Sequence, residues 1–181
     1  QFTDVAQDAW YADAVRYVKE KGLMSGTSET SFSPDAVTSR GMIVTILWRM
    51  DGSPAQTGAS GFSDVADGQY YSDAAIWAAA NRIVGGYEDG RFAPNDPITR
   101  EQMAAMMYRF VQTKGWDTTA SADLSGYTDA PQISIYALPA LQWANAEGII
   151  SGNGTLLSPD APATRAQAAA ILTRFCEIFS V

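Results

Sequence analysis

Phe92–Phe110, FAPNDPITREQMAAMMYRF, decides how this chain is read, because its pattern is written three times. Phe32-Ser33-Pro34 leads to Ser39-Arg40, Phe92-Ala93-Pro94 to Thr99-Arg100, and Leu157-Ser158-Pro159 to Thr164-Arg165. In each copy the arginine follows the proline by six positions, and a second arginine (Arg49, Arg109, Arg174) follows the first by nine. A repeat at fixed spacing settles the architecture before any single motif is weighed.

Working outward, an aromatic-x-Asp opening recurs as Phe2-Thr3-Asp4, Phe62-Ser63-Asp64 and Tyr127-Thr128-Asp129, each Asp lying 36 positions before its motif arginine. Three units result, 1 to 50, 61 to 110 and 126 to 175. The stretches between them are rich in Gly, Ser, Thr, Ala and Pro and read as connectors. Each unit predicts a first helix (Tyr11 to Lys21, Tyr71 to Arg82, Tyr136 to Glu147), then a small-Gly step at Ser25-Gly26, Gly85-Gly86 and Ser151-Gly152. Gly22 and Gly148 stand where a helix end wants a left-handed residue, and the second copy has Arg82 there.

A second helix is expected to open at Ser39, Thr99 or Thr164, whose hydroxyls can accept from a first-turn backbone N–H. Gln102 and Gln167 complete capping boxes in the later copies, where the first has Met42. The apolar stripes Ile43, Ile46, Leu47, Met50; Met103, Met106, Met107, Phe110; and Ala168, Ile171, Leu172, Phe175 follow helical spacing. One such unit has too little core to stand alone. The expected fold is therefore all-α: a central three-helix bundle of approximate threefold symmetry, the first helices splaying outward as three helix-loop lobes. Tyr17, Trp77 and Trp143 are expected to pack within each lobe.

Composition narrows the function. Of 181 residues, 46% are hydrophobic, yet no apolar run approaches the ~20 residues needed to cross a bilayer, so no membrane insertion is expected. The first residues lack a signal-peptide pattern, so an export signal would lie outside this segment. A net charge of −8 argues against nucleic acid. Histidine, the commonest catalytic base and metal ligand, is absent, and the single cysteine, Cys176, reads as a small core residue. Tyr87-Glu88-Asp89-Gly90 has too few spaced acids for a calcium loop. No cofactor and no metal are expected. The acids recur at turns and loop ends rather than as a paired catalytic set, so an enzyme is not expected either.

Arg40, Arg100 and Arg165 carry the functional reading. Each opens a helix, at the end where the backbone dipole is positive and a cation costs about 0.3–1 kcal/mol. Something must offset that cost three times over. The acidic neighbours Asp35, Asp96 and Asp160 are one possibility. The other is an external anion, held by the guanidinium together with free helix-start N–H groups. The register of three arginines with Ser25, Gly26, Gly85, Gly86, Ser151 and Gly152 favours a ligand at one or more of them. Arg49, Arg109 and Arg174 lie towards helix C-termini, where a cation is favourable, and read as structural.

The aromatic-Asp opening, the small-Gly step, the loop Gly86-Tyr87-Glu88-Asp89-Gly90-Arg91-Phe92-Ala93-Pro94 and the start Ile98-Thr99-Arg100-Glu101-Gln102 resemble the S-layer homology domain family. The resemblance spans nearly the whole chain as three consecutive repeats. It implies a pseudo-trimeric spindle that anchors exported proteins non-covalently to bacterial cell walls. The implied ligand is a secondary cell-wall polysaccharide bearing pyruvate ketals, held in grooves between neighbouring repeats.

The family's Thr-Arg-Ala-Glu signature, whose arginine meets the acidic sugar, maps onto Ser39-Arg40-Gly41-Met42, Thr99-Arg100-Glu101-Gln102 and Thr164-Arg165-Ala166-Gln167. No copy keeps the final Glu, and the Gly-x-x-Asp-Gly loop is intact only in the second. By that match the groove using Arg100 and Gly86 is the one expected to bind first, and fewer than three equivalent sites are expected. The implied setting is extracellular, with a cell-wall glycopolymer as partner and a monomer as the isolated segment. The alternative left open is a protein-protein or self-assembly module of a surface layer.

Overall fold

The computed structural model describes residues 2–181. Among them are six α-helices: α1 (Ala12–Glu20), α2 (Arg40–Met50), α3 (Ser72–Ala80), α4 (Arg100–Thr113), α5 (Leu138–Ala146) and α6 (Arg165–Phe179). A single 3-10 turn spans Ala130–Gln132, and the described residues form no β-sheet. None of these helices is long and apolar enough to cross a membrane.

The helix starts follow the sequence closely. The hydroxyls of Ser39, Thr99 and Thr164 each accept from the backbone N–H three residues on, at 3.2 Å. Gln102 and Gln167 return the bond to the N–H of Thr99 and Thr164, closing both capping boxes, and Met42 leaves the first copy without one. The stripes of α2, α4 and α6 join one continuous core, in which only Met50 is partly exposed. Gly22 and Gly148 take left-handed φ of 69° and 72° beyond α1 and α5, and Arg82 takes 58° beyond α3 at the strain cost glycine avoids.

The helices pair across copies. α3 packs on α2, α5 on α4, and α1 on α6, so each first helix rests on the second helix of the preceding copy and the last pair closes the circle. Trp77 meets Phe110 of its own copy's α4 (5.9 Å between ring centroids), and Trp143 lies between Tyr108 of the preceding copy's α4 (5.4 Å) and Phe179 of its own copy's α6 (6.0 Å). Packing within separate lobes, the expectation for these aromatics, is replaced by packing onto the shared helices, because a nine-residue helix has too little apolar surface to form its own core. Asp51, at the end of α2, accepts from the Trp77 indole N–H (3.0 Å) and pairs with Lys114, tying the segments that flank α3 and α4.

A ring of backbone hydrogen bonds joins the segments ahead of the second helices: Thr38 N–H to Ala163 O (2.9 Å), Ala163 N–H to Ile98 O (2.9 Å) and Ile98 N–H to Thr38 O (2.8 Å). Each helix start is then seated on the next loop. Arg40 and Gly41 donate to Asp96 O and Pro94 O, Arg100 and Glu101 to Ala161 O and Pro159 O, and Arg165 and Ala166 to Ala36 O and Pro34 O.

Those loops are held by the aromatic-x-Asp openings. Asp4 accepts from the N–H groups of Phe32 and Ser33, Asp64 from Phe92 and Ala93, and Asp129 from Leu157 and Ser158, all at 2.7–2.9 Å. The second donor is each time a non-glycine residue at left-handed φ: Ser33 57°, Ala93 57°, Ser158 55°. The N–H of Phe32 holds the Asp4 carboxyl below its ordinary range, and that of Leu157 does the same for Asp129. A folded-state value below the unfolded one (about 3.9) means stability that is complete above that value and lost as pH falls through the folded one. With no histidine present, the melting temperature should be nearly flat from about pH 5 to 8. It should fall below about pH 4, a profile that circular-dichroism melts across pH would check.

Candidate functional site

The three motif arginines lie in three clefts, each assembled from different copies. Arg100 lines a cleft of about 570 Å³ with Ser151, Gly152, Gln167, Arg174 and Trp10. Arg40 lines one of about 240 Å³ with Gly85, Gly86, Tyr87, Gln102, Arg109 and Tyr136. Arg165 lines one of about 220 Å³ with Ser25, Gly26, Met42, Arg49 and Tyr70. Each thus combines an arginine from one copy, the small-Gly step of the next, and an aromatic from the third. The pairing of Arg100 with Gly86 does not occur. Gly86 lies beside Arg40 and Arg100 beside Gly152, because every helix start docks on the loop of the following copy.

No carboxylate lies within ion-pair distance of Arg40, Arg100 or Arg165 among the described residues. The cation at each helix start is offset by backbone carbonyls instead. Arg40 Nε donates to Phe92 O (2.8 Å), Arg100 Nε to Leu157 O (3.1 Å) and Arg165 Nε to Phe32 O (2.7 Å). Arg100 and Arg165 add a second bond, to Ser151 O (2.7 Å) and Ser25 O (2.5 Å). Arg40 has no such partner at Gly85 and lies instead over the Tyr87 and Phe92 rings, 4.9 and 5.0 Å from their centroids. Burial lowers the proton affinity of all three guanidiniums, and Arg174 adds to the effect at Arg100. They nonetheless stay cationic at any physiological pH.

The helix-start N–H groups are not available to a ligand. Loop carbonyls take those of the first two residues and the Ser or Thr hydroxyl takes that of the third. The donors expected beside the guanidiniums are therefore spent in joining the copies. Backbone donors occur instead at the small-Gly step, where the N–H groups of Ser25, Gly26, Gly85, Gly86 and Ser151 have no hydrogen-bond partner among the described residues.

The glycines of that step also have a structural reason. A Cβ on Gly86 would come within 2.5 Å of the Phe62 ring, and one on Gly26 or Gly152 would strike the Phe2 or Tyr127 ring. The opening aromatic of each copy seats directly beneath.

Two sets of cleft residues were not legible as such. Arg49, Arg109 and Arg174 line the clefts opposite Arg165, Arg40 and Arg100. Arg109 and Arg174 are steadied by Ile83 O (3.1 Å) and Ile149 O (3.3 Å). Their nine-residue offset, two and a half helical turns, was the signal, but it does not say which face the next copy leaves open. The exposed aromatics Trp10 and Tyr70 also line clefts, and their only mark in the sequence is to precede a second aromatic. Six of the chain's twelve basic residues therefore line three clefts of an otherwise acidic protein.

A family model described as the S-layer homology domain matches the chain at residues 1–41, 61–104 and 126–169. An endoglucanase of Bacillus sp. (strain KSM-635) is 32% identical over 95% of this chain and 18% of its own length. The surface-layer 125 kDa protein of Lysinibacillus sphaericus is 31% identical over 98% of this chain and 15% of its own. The S-layer protein sap of Bacillus anthracis is 26% identical over 96% and 21%. The chain thus spans about a fifth or less of the length of these relatives.

Proposed function

Because the chain belongs to the S-layer homology domain family, we propose that it is a non-covalent anchoring module that binds an acidic, pyruvylated secondary cell-wall polysaccharide in its clefts. The family and its surface-layer relatives point to an extracellular cell-wall or S-layer location in a bacterium. The observation that carries the ligand reading is the cleft of Arg100. It holds two guanidiniums, an unengaged Ser151 N–H and an exposed indole, with no carboxylate of the chain within ion-pair distance of Arg100. A ketal-linked pyruvate presents a compact carboxylate on a sugar ring. The guanidinium suits the acid and the aromatic suits the ring face.

Volume ranks the three clefts. Ligand sites usually measure about 300–1,000 Å³. The Arg100 cleft falls in that range by itself, and the Arg40 cleft only together with an adjoining hollow of about 470 Å³ that shares Val84, Gly85 and Arg109 with it. We read the Arg100 cleft as the principal site. The acidic surface repels a polyanion at long range, so affinity must come from contacts inside the cleft. The module itself is read as non-catalytic and monomeric, with any enzymatic activity belonging to chain outside this segment. Amylopullulanase of Thermoanaerobacterium thermosulfurigenes, which is 30% identical and of which this chain covers 9%, fits that division.

The test is sedimentation with purified, protein-free cell walls. Arg100→Gln should bind about tenfold more weakly, as loss of a hydrogen bond to a charged group implies, with unchanged circular dichroism. Walls stripped of ketal-linked acids by mild acid should lose wild-type binding to a similar degree. Equal binding by the variant and by stripped walls would refute the ligand. Self-association without wall binding would favour an assembly module instead.

A further inference from the structure

The cleft of Arg100 has one wall that comes from neither the copy supplying its arginine nor the copy supplying its loop. Trp10, two residues before α1, lines it with an indole that is 67% exposed. The indole meets the Tyr11 ring at 86° with centroids 5.2 Å apart, a contact that steadies its plane. Tyr70 and Tyr136 occupy the other two clefts and are 53% and 51% exposed. A lone exposed aromatic needs no explanation, but one beside each of three arginine clefts does.

The position of this cleft adds a second point. α2 and α3 are consecutive along the chain, as are α4 and α5, so those pairs are joined by a connector. The α1–α6 pair joins the two ends of the chain and has no connector of its own. The Arg100 cleft lies on that seam, lined on one side by Trp10 and on another by Gln167, Ala170, Ile171 and Arg174 of α6.

We propose that Trp10 is the specificity-determining residue of this cleft, stacking on the apolar face of the acidic sugar held by Arg100, so that one bound sugar bridges the α1–α6 seam. The proposal rests on the anchoring reading above and adds to it a sugar-ring selector drawn from the opposite end of the chain. It implies that binding and closure of the seam are coupled. A ligand that touches both sides stabilises the closed arrangement by mass action.

The experiment uses the full chain and a single pyruvylated sugar, a methyl 4,6-O-(1-carboxyethylidene)-hexopyranoside, with the neutral 4,6-O-ethylidene compound as control. Trp10→Ala should weaken calorimetric binding about tenfold, while Trp10→Tyr stays within about threefold of wild type, as an aromatic contact requires. In wild type the acidic sugar should slow amide exchange in α1 and α6 more than in α3, and the neutral control should not. If Trp10→Ala binds like wild type while Arg100→Gln is weakened, the stacking role is overturned and the anchoring reading stands. If the sugar leaves exchange in α1 unchanged, the bridging of the seam is overturned. If wild type binds neither this sugar nor purified walls, both readings fall together.

Discussion

Phe110→Ala is expected to unfold with a stability loss of about 3–5 kcal/mol, the range for removing a large buried aromatic. Phe110 is fully buried, and its ring lies 5.9 Å from Trp77, 6.1 Å from Trp116 and 6.1 Å from Phe175. Those partners belong to α3, to the segment after α4 and to α6, so one side chain joins three parts of the fold. The Lys114 ammonium, paired with Asp51, also stands 5.7 Å over the ring. Alanine would leave a cavity that three separate helices must collapse to fill. In a domain of this size the melting temperature should fall by roughly 10 °C. Urea titration would check the value, with the midpoint falling and the slope unchanged. A loss below about 1 kcal/mol would mean that this junction is not central to the core.

What the sequence disclosed and what it withheld divide along a physical line. Ser39, Thr99 and Thr164 announced their helices because a cap needs only residues within one turn of it, and Gln102 and Gln167 were readable for the same reason. The stripes from Ile43, Met103 and Ala168 were readable because periodicity is local too. Partner choice is not local. Each first helix would satisfy its own copy or a neighbour's equally well by pattern, and only assembly puts α1 on α6. The same blindness sent Arg100 to Gly86 instead of Gly152. It also left Trp10 unremarked, since what places that indole in a cleft is the packing of the first copy against the third. Arg174 and Arg109 were given only a helix-end role, yet α6 and α4 run on to Phe179 and Thr113 and leave both outside the last turn, where the dipole gives a cation little; of the three only Arg49 sits in a last turn. The offsetting of the motif arginines by Phe92 O, Leu157 O and Phe32 O lay outside any sequence pattern, since carbonyls are present at every residue.

The aromatic-x-Asp opening leads to the second large effect. Asp64→Asn is expected to cost about 2–4 kcal/mol, below the sum of two charge-assisted hydrogen bonds because the side chain is partly exposed. The Asp64 carboxylate accepts from Phe92 N–H and Ala93 N–H, each at 2.8 Å. Asparagine offers one oxygen acceptor and one N–H₂ donor, so one of the two backbone donors would face another donor. Ala93 would then have nothing to hold it at φ 57°, a conformation that costs a residue with a Cβ about 1–2 kcal/mol. The consequences pass to the neighbouring copy. Phe92 O, which Arg40 Nε grips, and Pro94 O, which accepts from Gly41 N–H, belong to the same loop. Relaxation of that loop therefore unseats the start of α2 and loosens the Arg40 cleft. Ala93→Gly should relieve about 1 kcal/mol of that strain in the wild-type background, where Asp64 imposes the conformation, and less in the Asp64→Asn background, where the loop has already relaxed. A double-mutant cycle of thermal melts reads both quantities. If the two substitutions simply add, or Asp64→Asn melts with wild type, the carboxylate is not what holds the loop against the next copy's helix.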